Sequence, residues 1–172
     1  MKELLERIYL WIYRLPRKDA AALPLLGTVV FLGLRRKLER YWFWRWSVAG
    51  LLLVWMAVIL TQTVLARQAS GNALSLVPFR CYFEAYGGGE KELLRSASMN
   101  ILMFYPGGLL ALSLWGRKYL LPLLGGFLVF SVGMEVLQFV LGVGVTETDD
   151  VLHNVVGAAL GLLAARQYEK HW

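Results

Sequence analysis

The sequence predicts an all-α protein: a polytopic helical membrane bundle of five transmembrane helices, with an interfacial helix at its N-terminus. Three observations carry that expectation. Of 172 residues, 58 % are hydrophobic and 17 % charged, which excludes a disordered chain. Apolar runs approaching membrane length recur along the chain and alternate with short polar or basic stretches. Aromatic residues crowd beside Lys and Arg where an apolar run begins, as the headgroup level of a bilayer favours.

Residues 1–18 place Leu4, Ile8, Trp11, Ile12 and Leu15 at helical spacing, with charged residues between them, and Pro16 ends the pattern. Such a helix lies in the membrane interface. Residues 19–172 form the integral membrane domain. Its first apolar run, residues 20–34, has 15 residues and contains Pro24. At about 1.5 Å per residue it is short for a hydrocarbon core of roughly 30 Å, so it crosses by drawing on its flanks or thinning the bilayer. Next, Arg35, Arg36, Lys37, Arg40 and Arg45 interleave with Tyr41, Trp42, Phe43, Trp44 and Trp46, the composition of a cytoplasmic interface. The net charge of +6 does not imply nucleic acid. The cations sit beside apolar runs rather than in one strip, so the partners expected are membrane lipids, and no protein partner is indicated.

Residues 47–66 form the second span, and residues 67–97 the longest polar connection. Pro78 keeps a helix from running on from Val77. Gly87, Gly88 and Gly89 read as a turn, and Glu90 to Arg95 opens the next helix. Three more spans follow at 98–115, 119–142 and 151–165. Cys81 is the one cysteine, so there is no internal disulfide, and it reads as a tolerated loop residue rather than a nucleophile.

Glu135 is the residue that bland explanations fit worst. A carboxylate in a membrane-length apolar run costs on the order of 2.5–3.5 kcal/mol on insertion scales, so it faces protein or water. With Gly142 as the helix end it lies about 10 Å below the surface, and Gln138 is one turn nearer on the same face. Asn100 is expected to begin the third span, while Asp150, His153 and Asn154 begin the last. Start, end and start of three successive antiparallel spans fall on one side of the membrane, so these residues converge with Asp149 whatever the orientation. Gly157 and Gly161 let another helix approach closely, and Pro106 frees the carbonyl of Leu102. Each polar residue also has a structural reading: Asn100, Gln138 and Asn154 as interhelical hydrogen bonds, Asp149 or Asp150 as a helix cap, His153 as partner to a carboxylate.

The pattern Asn100-x3-Phe104-x-Pro106-x-Gly108, then Glu135-x2-Gln138, then Glu147-x-Asp149-Asp150-x3-Asn154-x2-Gly157-x3-Gly161 resembles the VanZ-like family of bacterial membrane proteins. Ser75 to Arg80, SLVPFR, is similar to a further element of that family. The resemblance implies a multi-pass protein of the bacterial plasma membrane associated with lowered susceptibility to the glycopeptide teicoplanin. An arginine usual in the family between two glycines is here Val143. Arg80, or a bound divalent cation, is then expected to balance Glu147, Asp149 and Asp150. Three functions stay open. The cluster could bind a lipid headgroup or lipid-linked envelope precursor, with Arg80 on an anionic headgroup. It could be an intramembrane acid/base or metal-dependent enzyme, whose oxygen ligands would suit a hard ion such as Mg²⁺. Or it could fix helix register in a partner-binding protein.

Lys and Arg set the orientation. With Arg35 to Arg45 inside, nine lie inside against four in the loops 67–97 and 143–150, which are then outside. Five basic residues before residue 20 would level that count if residues 20–34 cross. A cysteine introduced at Glu147 in a Cys81→Ser background is therefore expected to react with an impermeant maleimide on intact cells. Reaction only after permeabilisation would reverse the orientation.

Overall fold

The computed structural model describes residues 17–65, 73–87 and 91–170, so the expected interfacial helix lies outside the described residues but for its last two. Compact contacts divide the chain into two units, residues 1–40 and 41–172. In the first, helix α1 (Arg17–Leu38) is 22 residues long. It runs past both ends of the expected short span and carries Arg35, Arg36 and Lys37 in its last turn, where cations complement the helix dipole. Arg35 Nε pairs with Glu39 at 3.1 Å.

The second unit is built from four long helices. Helix α2 (Trp42–Leu60) continues into a π-helical turn, Thr61–Leu65. The aromatic cluster is thus the first turn of the helix rather than its approach, with Trp44 buried and Trp42 and Trp46 exposed. Strand β1 (Ala73–Ser75) and a short helix α3 (Arg80–Gly87) occupy the stretch read as the longest polar connection. Helix α4 (Lys91–Trp115) begins well before the expected span and passes Pro106 without a break. The Trp55 indole donates to the Met103 carbonyl at 2.8 Å, beside that proline. Helix α5 (Leu120–Leu141) matches its expected span closely. Strand β2 (Val145–Glu147) and helix α6 (Thr148–Lys170) complete the unit.

Among the described residues, three helical segments are long and apolar enough to cross a membrane: Trp42–Leu65, Glu92–Trp115 and Arg117–Leu141. Helix α6 falls short because Asp149, Asp150, His153 and Asn154 open it. The chain is therefore a helical membrane protein with three spans evident by length and composition, where five were expected.

Helices α4 and α6 form the tightest pair. A Cβ at Gly157 would collide with the Ile101 carbonyl, one at Gly161 with the Tyr105 carbonyl, and one at Gly108 with the Ala158 carbonyl. Backbones this close need residues without side chains on both helices. Phe104, Leu112, Ala158 and Leu162 fill the surrounding core.

Helix α5 ends in a six-to-one closure. Gly142 adopts φ 65°, its N–H reaches the Phe139 carbonyl at 3.2 Å, and the Val143 N–H reaches the Gln138 carbonyl at 3.0 Å. Buried Val143 supplies the apolar residue that accompanies this motif. The place where an arginine was expected is thus filled by a packing residue.

The α4/α6 contact predicts a sharp contrast between glycines. Gly161→Ala should destabilise the detergent-solubilised protein by about 1–3 kcal/mol, the usual cost of overpacking, seen as a lower thermal midpoint. Gly126→Ala, whose Cβ meets nothing within 4 Å, should leave that midpoint unchanged or slightly raised.

Candidate functional site

Where α5 ends and α6 begins, the expected polar residues gather, and nearly all are engaged with the chain itself. Ser131, Glu135 and Gln138 lie on one face of α5 at helical spacing, and all three are buried. Glu135 Oε2 accepts the N–H of Glu147 at 3.0 Å, and Thr146 Oγ1 donates to the Glu135 carbonyl at 3.3 Å. The recessed carboxylate therefore holds β2 in place. β2 in turn pairs in parallel with β1, Leu74 opposite Thr146 and Ser75 opposite Glu147. Gln138 Nε2 donates to the Thr63 carbonyl at 3.1 Å in the π-helical turn of α2.

Asp149 has a role the sequence did not suggest. It sits in the first turn of α6, yet its carboxylate caps a different helix: Oδ1 accepts the N–H of Phe79 and Oδ2 the N–H of Cys81, at 2.5 and 2.8 Å. The residue is 3 % exposed. Phe79 is held at φ 62°, in the left-handed region, and this turn aims its amide at the carboxylate. The N-terminus of α3 thus supplies the positive partner for Asp149 that Arg80 was expected to provide. Arg80 is exposed, and its Nε donates to Glu84 Oε1 within α3 at 2.5 Å.

The remaining expected residues bridge helices. Asn100 is well inside α4, about two and a half turns from its start, and its Nδ2 donates to Asp150 Oδ1 at 2.7 Å. Asn154 Nδ2 donates to Ser131 Oγ at 2.9 Å, joining α6 to α5. Buried Asn154 Oδ1 has no hydrogen-bond partner among the described residues. His153 pairs through Nε2 with the Tyr82 hydroxyl of α3 at 2.9 Å, a phenol rather than the expected carboxylate. Among the described residues no three His, Cys, Asp or Glu side chains are grouped to hold a metal ion.

Ser131, Thr63, Tyr82 and Thr146 belong to this network and were not singled out from the sequence. Ser131 was within reach, since it lies four residues before Glu135 on the face that carries Gln138. Tyr82 carried no such signal, because its helix is too short to show a period.

Beside the network opens a cleft of about 300 Å³. Leu74 and Leu76 form one wall, and Val132, Val136 and Phe139 of α5 the other, with Glu135 and Glu147 among its lining residues. Of the expected site residues Glu135 alone lines this cleft, whose walls are mostly apolar.

The family model for VanZ/LLP1 matches residues 46–168. The chain belongs to the VanZ/LLP1 family. It is 32 % identical over 100 residues to Protein VanZ of Enterococcus faecium, a match covering 58 % of this chain and 56 % of that protein. The chain therefore spans just over half the length of this VanZ relative. No solved structure matches it. The matched residues take in the whole polar network of this chain, from Thr63 to Asn154.

Cys81 offers a direct test of this geometry. Burial, then the hydrogen bond and charge of Asp149, push its thiol up to about 12 from an ordinary 9.0. The thiolate is the reactive form. Alkylation of the native protein should therefore keep rising about tenfold per pH unit beyond pH 9, where an ordinary thiol levels off. In denaturant the rate should level near pH 9, and a native profile of that shape would contradict the buried placement beside Asp149.

Proposed function

We propose that this chain is a multi-pass envelope protein of the bacterial plasma membrane that binds a lipid or lipid-linked precursor at the end where α5 and α6 meet. Through that binding it lowers susceptibility to glycopeptides such as teicoplanin. The observation that carries the reading is the apolar cleft between β1 and α5 with Glu135 and Glu147 among its lining residues. Its apolar walls suit an acyl or polyprenyl chain, while the carboxylates lie nearest to what a headgroup would present. In this reading α1 and α6 also cross, giving five spans, and the cleft opens on the outer side.

A register-fixing role is the second reading, and the hydrogen bonds that Asn100, Glu135, Gln138, Asp149 and Asn154 make to neighbouring elements favour it. An acid/base enzyme draws less support. Buried Cys81 is poorly ionised, and the carboxylates of Glu135, Asp149 and Asp150 are occupied by amides of the chain.

Two substitutions separate the first two readings. Val136→Trp fills the cleft from an exposed position without touching the hydrogen bonds. Glu135→Gln keeps shape and loses charge. If the cleft binds a ligand, both variants should reach the membrane at near-normal levels and lose most of the glycopeptide protection seen with the parent chain. Full protection by Val136→Trp would remove the cleft from the mechanism and leave the register-fixing role.

A further inference from the structure

Helix α3 is inside out for a helix facing water. Its small residues, Cys81 and Ala85, are buried at 5 % and 7 % exposure. Tyr82 turns inward to His153, but the other large residues point away from the protein: Phe79, just before the helix, Phe83 and Tyr86 recur at i, i+4 and i+7 and are 56 %, 72 % and 82 % exposed. A water-facing helix would reverse this, turning its aromatic residues inward. The charges on the helix, Arg80 and Glu84, pair with each other and leave no net charge between them.

The level at which α3 sits is also fixed. Asp149, in the first turn of α6, holds its N-terminus, and His153, one turn further on, holds Tyr82. Both anchors follow the turn after Leu141, the last residue of the span Arg117–Leu141, where the chain doubles back along α5 so that the Glu147 amide meets Glu135 and Asn154 meets Ser131. Helix α3 is therefore tied beside the last turns of a membrane-crossing segment, level with Ser131 to Glu135. Its exposed aromatic face is continuous with apolar surface on that segment. Val77 and Leu76 precede it and are exposed, and Leu76 shares the cleft with exposed Val132, Val136 and Phe139 of α5.

We propose that α3 is a lipid-facing helix, whose Phe79, Phe83 and Tyr86 face is embedded among the upper acyl chains beside the last turns of α5. Phenyl rings with a phenol suit this layer, since one end of the set is apolar and the other can meet water. Internal pairing of Arg80 with Glu84 favours lipid over a charged protein partner, and continuity with the face of a spanning helix favours lipid over a second copy of the chain. The proposal is independent of which ligand the cleft takes and of which side of the membrane the hairpin faces.

The test places an environment-sensitive nitrobenzoxadiazole label on single cysteines at Phe83, Tyr86 and Glu84, in a Cys81→Ala background. The full chain is reconstituted in phosphatidylcholine and phosphatidylglycerol vesicles. Labels at residues 83 and 86 should be quenched by lipids carrying a nitroxide high on the acyl chain, and should be several-fold less accessible to aqueous iodide than the label at residue 84. Equal iodide quenching at all three positions would overturn the proposal. Shielding from iodide without nitroxide quenching would overturn it too, because protein rather than lipid would then cover the face. Asp149→Ala supplies a control on the anchor: the contrast between residues 83 and 84 should shrink when the cap is removed. An unchanged contrast would mean that the cap does not set the depth of α3.

Discussion

A buried carboxylate meeting a helix N-terminus is the interaction on which the polar end of this bundle depends. Asp149 is almost fully buried, and a carboxylate so placed without donors would be strongly disfavoured. Two backbone amides meet it. Hydrogen bonds to a charged acceptor contribute about 1.5–3 kcal/mol each. Holding Phe79 in the left-handed region costs only about 1–2 kcal/mol, so the pair of bonds outweighs the strain that creates it. One contact thereby joins three features: the start of α6, the unusual turn at Phe79 and the docking of α3.

The rest of the polar set extends that attachment. Glu135 holds β2, β2 pairs with β1, and β1 carries Leu74 to the rim of the cleft. The segment 73–87 is thus attached to the α5–α6 hairpin at both ends, by strand pairing before Pro78 and by the Asp149 cap after it. Beneath it, glycine-mediated packing of α4 on α6 brings Asn100 to Asp150. The recessed carboxylate and the apolar cleft are two faces of one construction. Glu135 lines the cleft and holds the strand beside it, so one side chain serves both the strand pairing and the cleft wall.

How much of this was legible in the sequence depended on the kind of signal. Helix α5 was legible to within a residue, because a long apolar run broken only by single polar residues and ending at a glycine leaves little choice. Convergence of Glu135, Gln138, Asp150 and Asn154 followed from the order of the spans alone. Asn100 was misplaced as a start because its apolar run was counted from Ser98, whereas the helix opening at Glu90 to Arg95 runs without a break into that span. Helix α3 and the two strands were missed because elements of eight and three residues show no resolvable period. The partner of Asp149 was out of reach for a further reason. Backbone amides occur at every residue but proline, so no residue type marks the pair that a carboxylate will find, whereas Arg80 attracted notice by its charge alone.

Hydrogen exchange in the segment 73–87 of the full chain in lipid nanodiscs tests the attachment most directly. The amides of Phe79 and Cys81 should exchange at least a hundredfold more slowly than the unstructured peptide, and Asp149→Ala should restore fast exchange there while leaving α5 protected. Fast exchange in the parent chain, or protection that survives loss of the Asp149 carboxylate, would contradict the view that this buried cap organises the polar end of the bundle.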